Sequence, residues 1–233
     1  MATYVLIPGA GGQAGYWQRL APLLRARGHD VVAVDLPGAD ESAGLAEYTD
    51  LVVNAIGSRT ELVVVAQSLG GFTGPVVCTR VPVDLLVLLN AMVPAPGETA
   101  GDWWANTGQA QARAEEDARA GRDPNAAFDF LAYLFHDVPA DITAAILAHG
   151  EAPEAPIVFS QPWPLDKWPD VPTRFLQGRD DRFFPLEFQR RVVRERLGIE
   201  LDEMPGGHLV ALSQPAELAA RLEAYRLALV PVT

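Results

Sequence analysis

The chain has 233 residues, a net charge of −12 at pH 7 and a hydrophobic content of 49%. This length suits one α/β domain with a sizeable core, because such folds often exceed 200 residues without dividing. The negative charge argues against nucleic acid or an anionic membrane as a partner, since both would repel an acidic surface. No apolar stretch reaches membrane-spanning length, and no basic segment followed by an apolar one precedes the first predicted strand, so we expect no secretion signal.

The content of cysteine and histidine sets further bounds. A single cysteine, Cys78, excludes an internal disulfide framework, and a cytoplasmic location is therefore the expectation. No spacing of histidine, cysteine and carboxylate residues suggests a metal site. His29 directly precedes a predicted strand, and we expect it to be an exposed turn residue.

Predicted strands and helices alternate along the chain, which favours a mainly parallel six-stranded sheet flanked by helices. The predicted strands are residues 3–8, 30–35, 61–67, 84–89, 172–177 and 199–203. The predicted helices outside the long fourth connection are residues 16–27, 43–57, 69–80, 185–197 and 214–229.

The loop after the first predicted strand is rich in glycine. Gly9–Ala14 fits the pattern G-x-G-x-x-A, and Asp35 ends the next predicted strand about 20 residues further on. Because this arrangement is typical of a βαβ unit that binds a dinucleotide, an NAD(P)-binding Rossmann protein is an alternative. The single lysine, Lys167, has no tyrosine four residues before it, which removes the usual Tyr-x-x-x-Lys pair of reductases.

Ser68 follows an apolar, β-branched run and lies between small residues, in Ala66-Gln67-Ser68-Leu69-Gly70. A strand, a sharp turn and a helix in this order form a nucleophile elbow, in which the serine hydroxyl stands at the tip of the turn. Small residues two before and two after the serine matter because the turn is tight and its flanks crowd each other. The pentapeptide alone is a weak signal, since ordinary turns often place a serine between small residues.

Two downstream segments carry the groups that a serine nucleophile needs. Asp180 and Asp181 lie on a loop after an apolar predicted strand, and His208 lies on a glycine-rich loop after the last one. A serine hydroxyl is a poor nucleophile until an imidazole takes its proton, and a carboxylate fixes the tautomer of that imidazole. The chain order serine, aspartate, histidine is the order of the α/β-hydrolases.

On these motifs the chain resembles the α/β-hydrolase family, and within it the small serine esterase and hydroxynitrile-lyase-like branch. The resemblance covers nearly the whole chain, including Tyr4–Gly12 at the first strand and Asp35–Gly38 after the second. Such enzymes usually carry histidine where this chain has Pro8, and glycine where it has Ala66. Neither departure removes a catalytic group, but proline offers no side-chain hydrogen bond to the loop that follows it.

The resemblance implies which residues do the chemistry. It implies a catalytic triad of Ser68, Asp181 and His208. It also implies an oxyanion hole formed by two backbone N–H groups, one from the residue after the nucleophile and one from the loop after the first core strand. In this chain those residues are Leu69 and Ala10.

The choice of Asp181 over Asp180 rests on a pattern of similar proteins, G-x-x-D-x-x-x-P. Gly178, Asp181 and Pro185 match this pattern, so Asp180 is expected to cap a loop or to lie on the surface. Some hydrolases instead hold the acid after the preceding strand. Here Asn90 occupies that region, which offers no carboxylate.

The resemblance further implies that residues 1–233 form a single α/β-hydrolase domain with a helical cap inserted at about residues 93–168. Within this insertion, helices are predicted near residues 107–120, 124–136 and 139–149. A cap at this point lies over the nucleophile and shapes the substrate pocket. The candidate lining residues are Trp103, Trp104, Phe135 and His136.

The expected reaction is hydrolysis of a small, largely hydrophobic carboxylic ester through an acyl-serine intermediate, with no cofactor. A non-hydrolytic member of the fold, either a C–C lyase or a small-ligand binding protein, is the alternative. The lyase branch places a lysine next to the catalytic histidine, where this chain has Leu209, and this disfavours cyanohydrin cleavage. The expected partner is the small-molecule ester, and the sequence leaves a homodimer open.

Overall fold

The computed structural model describes residues 1–150 and 153–229. Residues 151, 152 and 230–233 belong to the predicted domain, and the first two also to the predicted insertion; all six lie outside the described residues. The elements of the first half are β1 (Thr3–Ile7), a 3-10 turn (Ala14–Trp17), α1 (Ala21–Ala26), β2 (Asp30–Ala33), α2 (Leu45–Ile56), β3 (Leu62–Gln67), α3 (Gly70–Cys78) and β4 (Leu85–Leu89).

Five helices follow before the next strand, within what we call the β4–β5 segment, residues 90–172. They are α4 (Ala100–Thr107), α5 (Gln109–Arg119), α6 (Phe130–Leu134), α7 (Ala140–Leu147) and α8 (Pro156–Ser160). The remaining elements are β5 (Thr173–Gly178), α9 (Leu186–Leu197), β6 (Asp202–Met204), α10 (Val210–Ser213) and α11 (Pro215–Ala228). No helix in the described part of the chain has the length and apolar composition needed to cross a membrane.

The six strands form one parallel sheet in the order β2-β1-β3-β4-β5-β6. The predicted parallel six-stranded sheet flanked by helices is therefore confirmed. In the ladder, Gln67 at the end of β3 pairs with Leu89 at the end of β4, and Leu89 pairs with Leu176 of β5. The loops that follow these strands consequently open at one edge of the sheet, where ligands bind in sheets of this kind.

Both faces of the sheet are covered, as expected for parallel strands with helical connections. On one face Val64 packs in a core formed with α2, α3 and α9, which also contains Trp163. On the other face Val65 packs with α1, α10 and α11 around Trp17. Because neighbouring strand residues are buried on opposite sides, the sheet is a rigid frame for the loops at its carboxyl edge.

Several segments differ from their predicted bounds. The helix predicted at residues 124–136 forms only as α6 (Phe130–Leu134), and β2 ends at Ala33 instead of residue 35. The helix predicted at residues 16–27 is divided into the 3-10 turn and α1, because Pro22 lies in the first turn of a new helix. The strand predicted at residues 199–203 forms ladder pairs only from Asp202 onward. Helices α4 and α8 were not predicted. Gly108, with φ +68°, separates α4 from α5.

The prediction that His29 is exposed is wrong, since only 8% of the residue is accessible to solvent. Its Nδ1 accepts a hydrogen bond from the Ala2 N–H at 3.2 Å, and its Nε2 lies 3.0 Å from the Glu223 carboxylate. Tyr4 packs edge-on against the imidazole and donates its hydroxyl to Glu223 at 3.3 Å. The packing of α11 against β1 therefore buries this histidine, and the residues next to it in sequence gave no sign of that.

Glu223 provides a test of how α11 is anchored. Its hydrogen bonds with Arg226 lower the pKa of Glu223 to about 2, from an ordinary value of about 4.5. An acid with a lowered pKa contributes stability above its unfolded pKa and loses it as the pH falls through the folded one. Glu223→Gln should therefore lower the free energy of unfolding at pH 7 and flatten its pH dependence between about 4.5 and 2.

Urea denaturation at a series of pH values would measure this effect. Glu217→Gln is the matched control, because Glu217 pairs with Arg221 on the exposed side of the same helix. Such surface pairs contribute little, so the control should behave like the unchanged protein. Equal losses for the two substitutions would contradict a special role for Glu223.

Candidate active site

Ser68 lies in the turn between β3 and α3 with φ of +53°, a conformation that non-glycine residues rarely adopt. Its N–H donates to the Leu89 carbonyl at 3.2 Å, and its own carbonyl accepts from the N–H groups of Gly71 and Met92 at 3.0 and 2.9 Å. These bonds hold the strained backbone from two sides. Strain of this kind persists only where the surroundings enforce it, and it is frequent at functional sites.

Close approach of the backbone explains the small residues around this turn. A Cβ atom added at Gly71 would lie 1.9 Å from the Met92 carbonyl oxygen, so this position admits only glycine. A Cβ atom at Gly74 would lie 2.7 Å from the Cβ of Ala66. Because position 74 is glycine, position 66 has room for a methyl group where related enzymes usually have none.

The structure brings Ser68, His208 and Asp181 together. His208 Nε2 lies 3.0 Å from the Ser68 hydroxyl, and His208 Nδ1 lies 2.8 Å from Asp181 Oδ2. Since a carboxylate only accepts, the ring proton belongs on Nδ1, and Nε2 presents its lone pair to the hydroxyl. The side chains of His208 and Asp181 are almost fully buried, with 3% and 0% of their surfaces exposed.

Asp181 is held in position by its own loop. Its Oδ1 accepts from the N–H groups of Phe183 and Phe184 at 2.8 and 3.0 Å, and its Oδ2 accepts from the Gln177 amide at 3.2 Å. Asp180 points elsewhere, and its carboxylate accepts from the Gly206 N–H at 3.1 Å. The two neighbouring aspartates are therefore separated in space, and only Asp181 reaches the imidazole.

Asn90 is a site residue whose role sequence reasoning missed. It follows β4, is fully buried and has φ of +45°. Its amide NH₂ donates to the carbonyls of Gly207 and His208, both at 2.9 Å, and its amide oxygen accepts from the Gly178 N–H at 2.6 Å. One amide thus joins the loop of the acid to the loop of the histidine. The available signal was a polar residue that ends a wholly apolar strand.

Two aromatic rings shield the imidazole. The rings of Phe183 and Phe184 lie 5.2 and 5.1 Å from the His208 ring, both nearly perpendicular to it. Edge-to-face contacts of this kind are favourable, and they also keep water away from the buried carboxylate. The acid loop therefore supplies both the partner of His208 and the wall beside it.

The loop after β1 lies directly against the nucleophile. A Cβ atom added at Gly9 would come within 2.8 Å of the Ser68 Cβ, so the backbone passes beside the serine. The N–H groups of Ala10 and Leu69 donate to no other residue in the described part of the chain. These two donors are therefore free for a ligand. Ala10 and Leu69 both line the same cavity as Ser68.

Hydrogen bonds from distant elements fix this loop. Gln67 accepts from the Gly9 N–H at 3.1 Å through its amide oxygen, and its amide nitrogen lies 3.4 Å from the His208 carbonyl. Glu154, from the β4–β5 segment, accepts from the Gly11 N–H at 2.7 Å. Neither side chain was singled out from the sequence.

A cavity of about 770 Å³ opens above Ser68. Its walls are mainly apolar, with contributions from the β4–β5 segment by Trp104, Phe128, Phe130, Leu134, Ile146, Leu147 and Phe159. The polar side chains among its lining residues belong to Gln13, Tyr16, Gln67, Ser68 and His208. The described lining residues include no carboxylate, lysine or arginine, so the cavity suits an uncharged ligand.

The four predicted pocket residues fall in different places. Trp104 lines the cavity, whereas Trp103 is fully buried on the other side of α4, with its indole N–H bonded to the Val93 carbonyl at 3.0 Å. Phe135 packs with Leu209 and Leu212 in a separate apolar cluster.

His136 borders another, polar cavity beside Asp180 and Arg182, not the cavity above Ser68. Burial, assisted by the charge of Arg182, lowers the pKa of His136. The structure therefore does not bring Trp103, Phe135 or His136 to the Ser68 cavity. The sequence alone did not reveal how the segments that carry these three residues pack.

The structure of the glycine-rich loop argues against the alternative of a dinucleotide-binding site. Asp35, the acid that would bind a ribose, accepts from the Ala14 N–H at 2.7 Å and so closes its own loop. A 3-10 turn follows the loop, where a dinucleotide site needs the start of an α-helix.

Within residues 1–150 and 153–229 there is no group of three or more metal-ligating side chains.

Comparison with known proteins identifies the family of this chain. The model of the "Alpha/beta hydrolase family" matches residues 4–221. The chain belongs to this family. It is 27% identical to probable esterase PIR7A of Oryza sativa over 92% of this chain and 93% of that protein. It is 24% identical to methyl jasmonate esterase 1 of Vitis vinifera, over 94% and 95% of the two chains.

Further relatives support the same class. A pyrethroid hydrolase of Sphingobium wenxiniae is 26% identical over 92% of this chain and 84% of its own. Among solved structures, polyneuridine aldehyde esterase matches 97% of this chain and 99% of its own with a TM-score of 0.75 and 21% identity. A pyrethroid hydrolase from Sphingobium faniae matches 97% and 98% of the two chains with a TM-score of 0.74 and 21% identity. The chain is an α/β-hydrolase that acts on ester bonds.

Asn90 yields a prediction about this site. Asn90→Ala removes three hydrogen bonds and leaves buried backbone groups without partners, each at a cost of about 1–3 kcal/mol. We expect a loss of unfolding free energy of about 2–4 kcal/mol and a fall of roughly 10- to 100-fold in kcat/KM, because the histidine loop loses one of its links to the acid loop.

Urea denaturation and hydrolysis of p-nitrophenyl esters would measure the two effects. Asn54→Ala, on the exposed face of α2, is the control and should change neither. A folded Asn90→Ala enzyme with unchanged kcat/KM would show that the amide is not needed to hold the histidine loop.

Proposed function

We propose that this hydrolase cleaves a small, largely hydrophobic carboxylic ester through an acyl-serine intermediate. In this proposal Ser68, His208 and Asp181 form the triad, and the N–H groups of Ala10 and Leu69 form the oxyanion hole. The observation that carries the proposal is the continuous hydrogen-bond path from Asp181 Oδ2 through the imidazole to the Ser68 hydroxyl, with steps of 2.8 and 3.0 Å.

Acylation follows from this path. The Ser68 oxygen attacks the ester carbonyl carbon while its proton passes to His208 Nε2, and Asp181 stabilises the imidazolium that results. The carbonyl oxygen becomes an oxyanion that accepts from Ala10 and Leu69, and one such donor is typically worth about 3–4 kcal/mol in the transition state. As the tetrahedral intermediate collapses, the alcohol leaves with the proton from Nε2, and an acyl-serine remains.

Deacylation repeats the sequence with water. His208 Nε2 takes a proton from the water, the resulting hydroxide attacks the acyl carbon, and the oxyanion returns to the same two donors. Collapse releases the carboxylic acid and returns the proton to the Ser68 oxygen. No cofactor or metal takes part in any step.

The cavity supports the substrate class. Its volume of about 770 Å³ lies within the range that encloses ligands of drug-like size, and its described lining residues include no carboxylate, lysine or arginine. A charged acyl or alcohol group would lose its hydration without gaining a partner of opposite charge, which is costly. Relatives named for methyl jasmonate and pyrethroids point in the same direction.

We also propose that residues 93–168 act as the cap of a single α/β-hydrolase domain. Helices α4 to α8 lie within this range, and eight of its described side chains line the cavity above Ser68. A cap of this kind excludes water from the tetrahedral intermediate and so strengthens its hydrogen bonds.

The lyase alternative finds no support in the lining of the cavity. Leu209, next to His208, lines it, and this position in the lyase branch carries the lysine that stabilises a leaving cyanide. Because no ammonium group lies near Ser68 among the described lining residues, hydrolysis is favoured over C–C bond cleavage.

Replacement of the nucleophile tests the proposal. Ser68→Ala should lower kcat on short, uncharged p-nitrophenyl esters by a factor on the order of 10⁶, since the members of a triad act as a unit. Ser160→Ala, at an exposed serine of α8, is the control and should keep full activity. Wild-type turnover that survives Ser68→Ala would remove Ser68 from this role.

A further inference from the structure

A hydrogen bond from the Gly12 N–H to the Gly9 carbonyl at 3.1 Å closes the loop after β1, and further contacts come from other parts of the chain. The loop carries the Ala10 N–H, and related enzymes usually begin this loop with a histidine, whereas here it begins with Pro8. The proline side chain forms no hydrogen bonds. The position of an oxyanion donor matters to within fractions of an ångström, because its bond must be strongest in the transition state. Contacts between this loop and the rest of the chain therefore matter for the position of the Ala10 N–H.

Two hydrogen bonds of Glu154 join this loop to α2. Its Oε2 accepts from the Gly11 N–H at 2.7 Å, one residue after Ala10. Its Oε1 accepts from the Tyr48 hydroxyl at 2.5 Å, and Tyr48 is itself buried in α2, with only 2% of its surface exposed. The carboxyl group is therefore clamped between the loop and a rigid helix. Burial raises the pKa of Glu154, although both hydrogen bonds oppose this rise.

The two residues that flank Glu154 contact the substrate cavity and the loop after β2. Pro153 lines the cavity above Ser68, so the residue next to the clamp touches the substrate space. The Ala155 N–H donates to the Gly38 carbonyl at 2.7 Å, which ties the segment to the loop after β2. Residues 153–155 thus contact the substrate cavity, the loop after β1 (the oxyanion loop) and the loop after β2.

We propose that Glu154 is a positioning residue, through which the β4–β5 segment holds the Ala10 N–H in place for the oxyanion. The inference rests on the proposed function, since it assumes that Ser68 attacks an ester beside this loop. Glu154 touches neither substrate nor reacting atoms in this account. It acts through the Gly11 N–H on the backbone donor that precedes it.

The test separates transition-state stabilisation from binding and from folding. Glu154→Met keeps the length of the side chain and removes its acceptors. We expect kcat on an uncharged p-nitrophenyl ester to fall about 10- to 100-fold while KM stays within about two-fold, because the loss concerns the oxyanion alone. Glu154→Gln should stay within about three-fold of wild type, since its amide oxygen also accepts from Gly11.

A pair of inhibitors gives the second measurement. An apolar trifluoromethyl ketone takes the Ser68 oxygen on its carbonyl carbon, the proton passes to His208, and the carbonyl oxygen becomes an oxyanion. The matching secondary alcohol fills the same cavity without forming one. In Glu154→Met the ketone should bind more weakly by the same factor as the fall in kcat, and the alcohol should bind as it does to wild type.

Gln161→Ala is the matched control, because Gln161 ties the same segment to the Leu45 N–H at 2.8 Å without touching the oxyanion loop. Rates are read below the unfolding temperature of each variant, and Glu154→Ala serves as a second variant of different volume. The proposal is overturned if folded Glu154→Met and Glu154→Ala keep full kcat, if only KM rises in them, or if Gln161→Ala reproduces the loss. Absence of Ser68-dependent hydrolysis in the wild type would instead overturn the proposed function.

Discussion

The imidazole of His208 is held between a carboxylate and a hydroxyl that arrive on the ends of two other strands. This contact is attainable because the parallel ladder brings the ends of β3, β4 and β5 to the same edge of the sheet. A displacement of one residue in this register would move the side chains by more than 3 Å and turn them to the other face. The apolar side chains that lock the sheet from both faces therefore also fix the distances of 2.8 and 3.0 Å on which the proposed chemistry depends.

Uncharged amides join the loops at this edge. Asn90 connects the acid loop to the histidine loop, and Gln67 connects the loop after β1 to the histidine loop. An amide can donate and accept at once, so one buried side chain satisfies backbone groups on two loops without introducing a charge. Glu154 adds a contact from the β4–β5 segment to the loop after β1. The walls of the cavity and the backbone beside Ser68 consequently form one connected unit.

The sequence was informative where its signals are local or carry a chain order. Alternating strands and helices predicted the parallel sheet, and the order of Ser68, Asp181 and His208 indicated the family, both of which are confirmed. Signals that depend on distant packing were not accessible. The burial of His29 is caused by α11, and the bridge made by Asn90 depends on two loops that lie far away in the chain. The orientation of Trp103 and Trp104 likewise depends on how α4 packs against the aromatic rings of the acid loop and α9.

Labelling by an alkyl fluorophosphonate tests the central claim most directly, because the reagent reacts only with an activated hydroxyl and requires no knowledge of the substrate. Intact mass and peptide mapping should show a single adduct, located on Ser68, and His208→Ala should abolish it, since the hydroxyl would then have no base to take its proton. An adduct at another residue, or undiminished labelling of Ser68 in His208→Ala, would contradict the account.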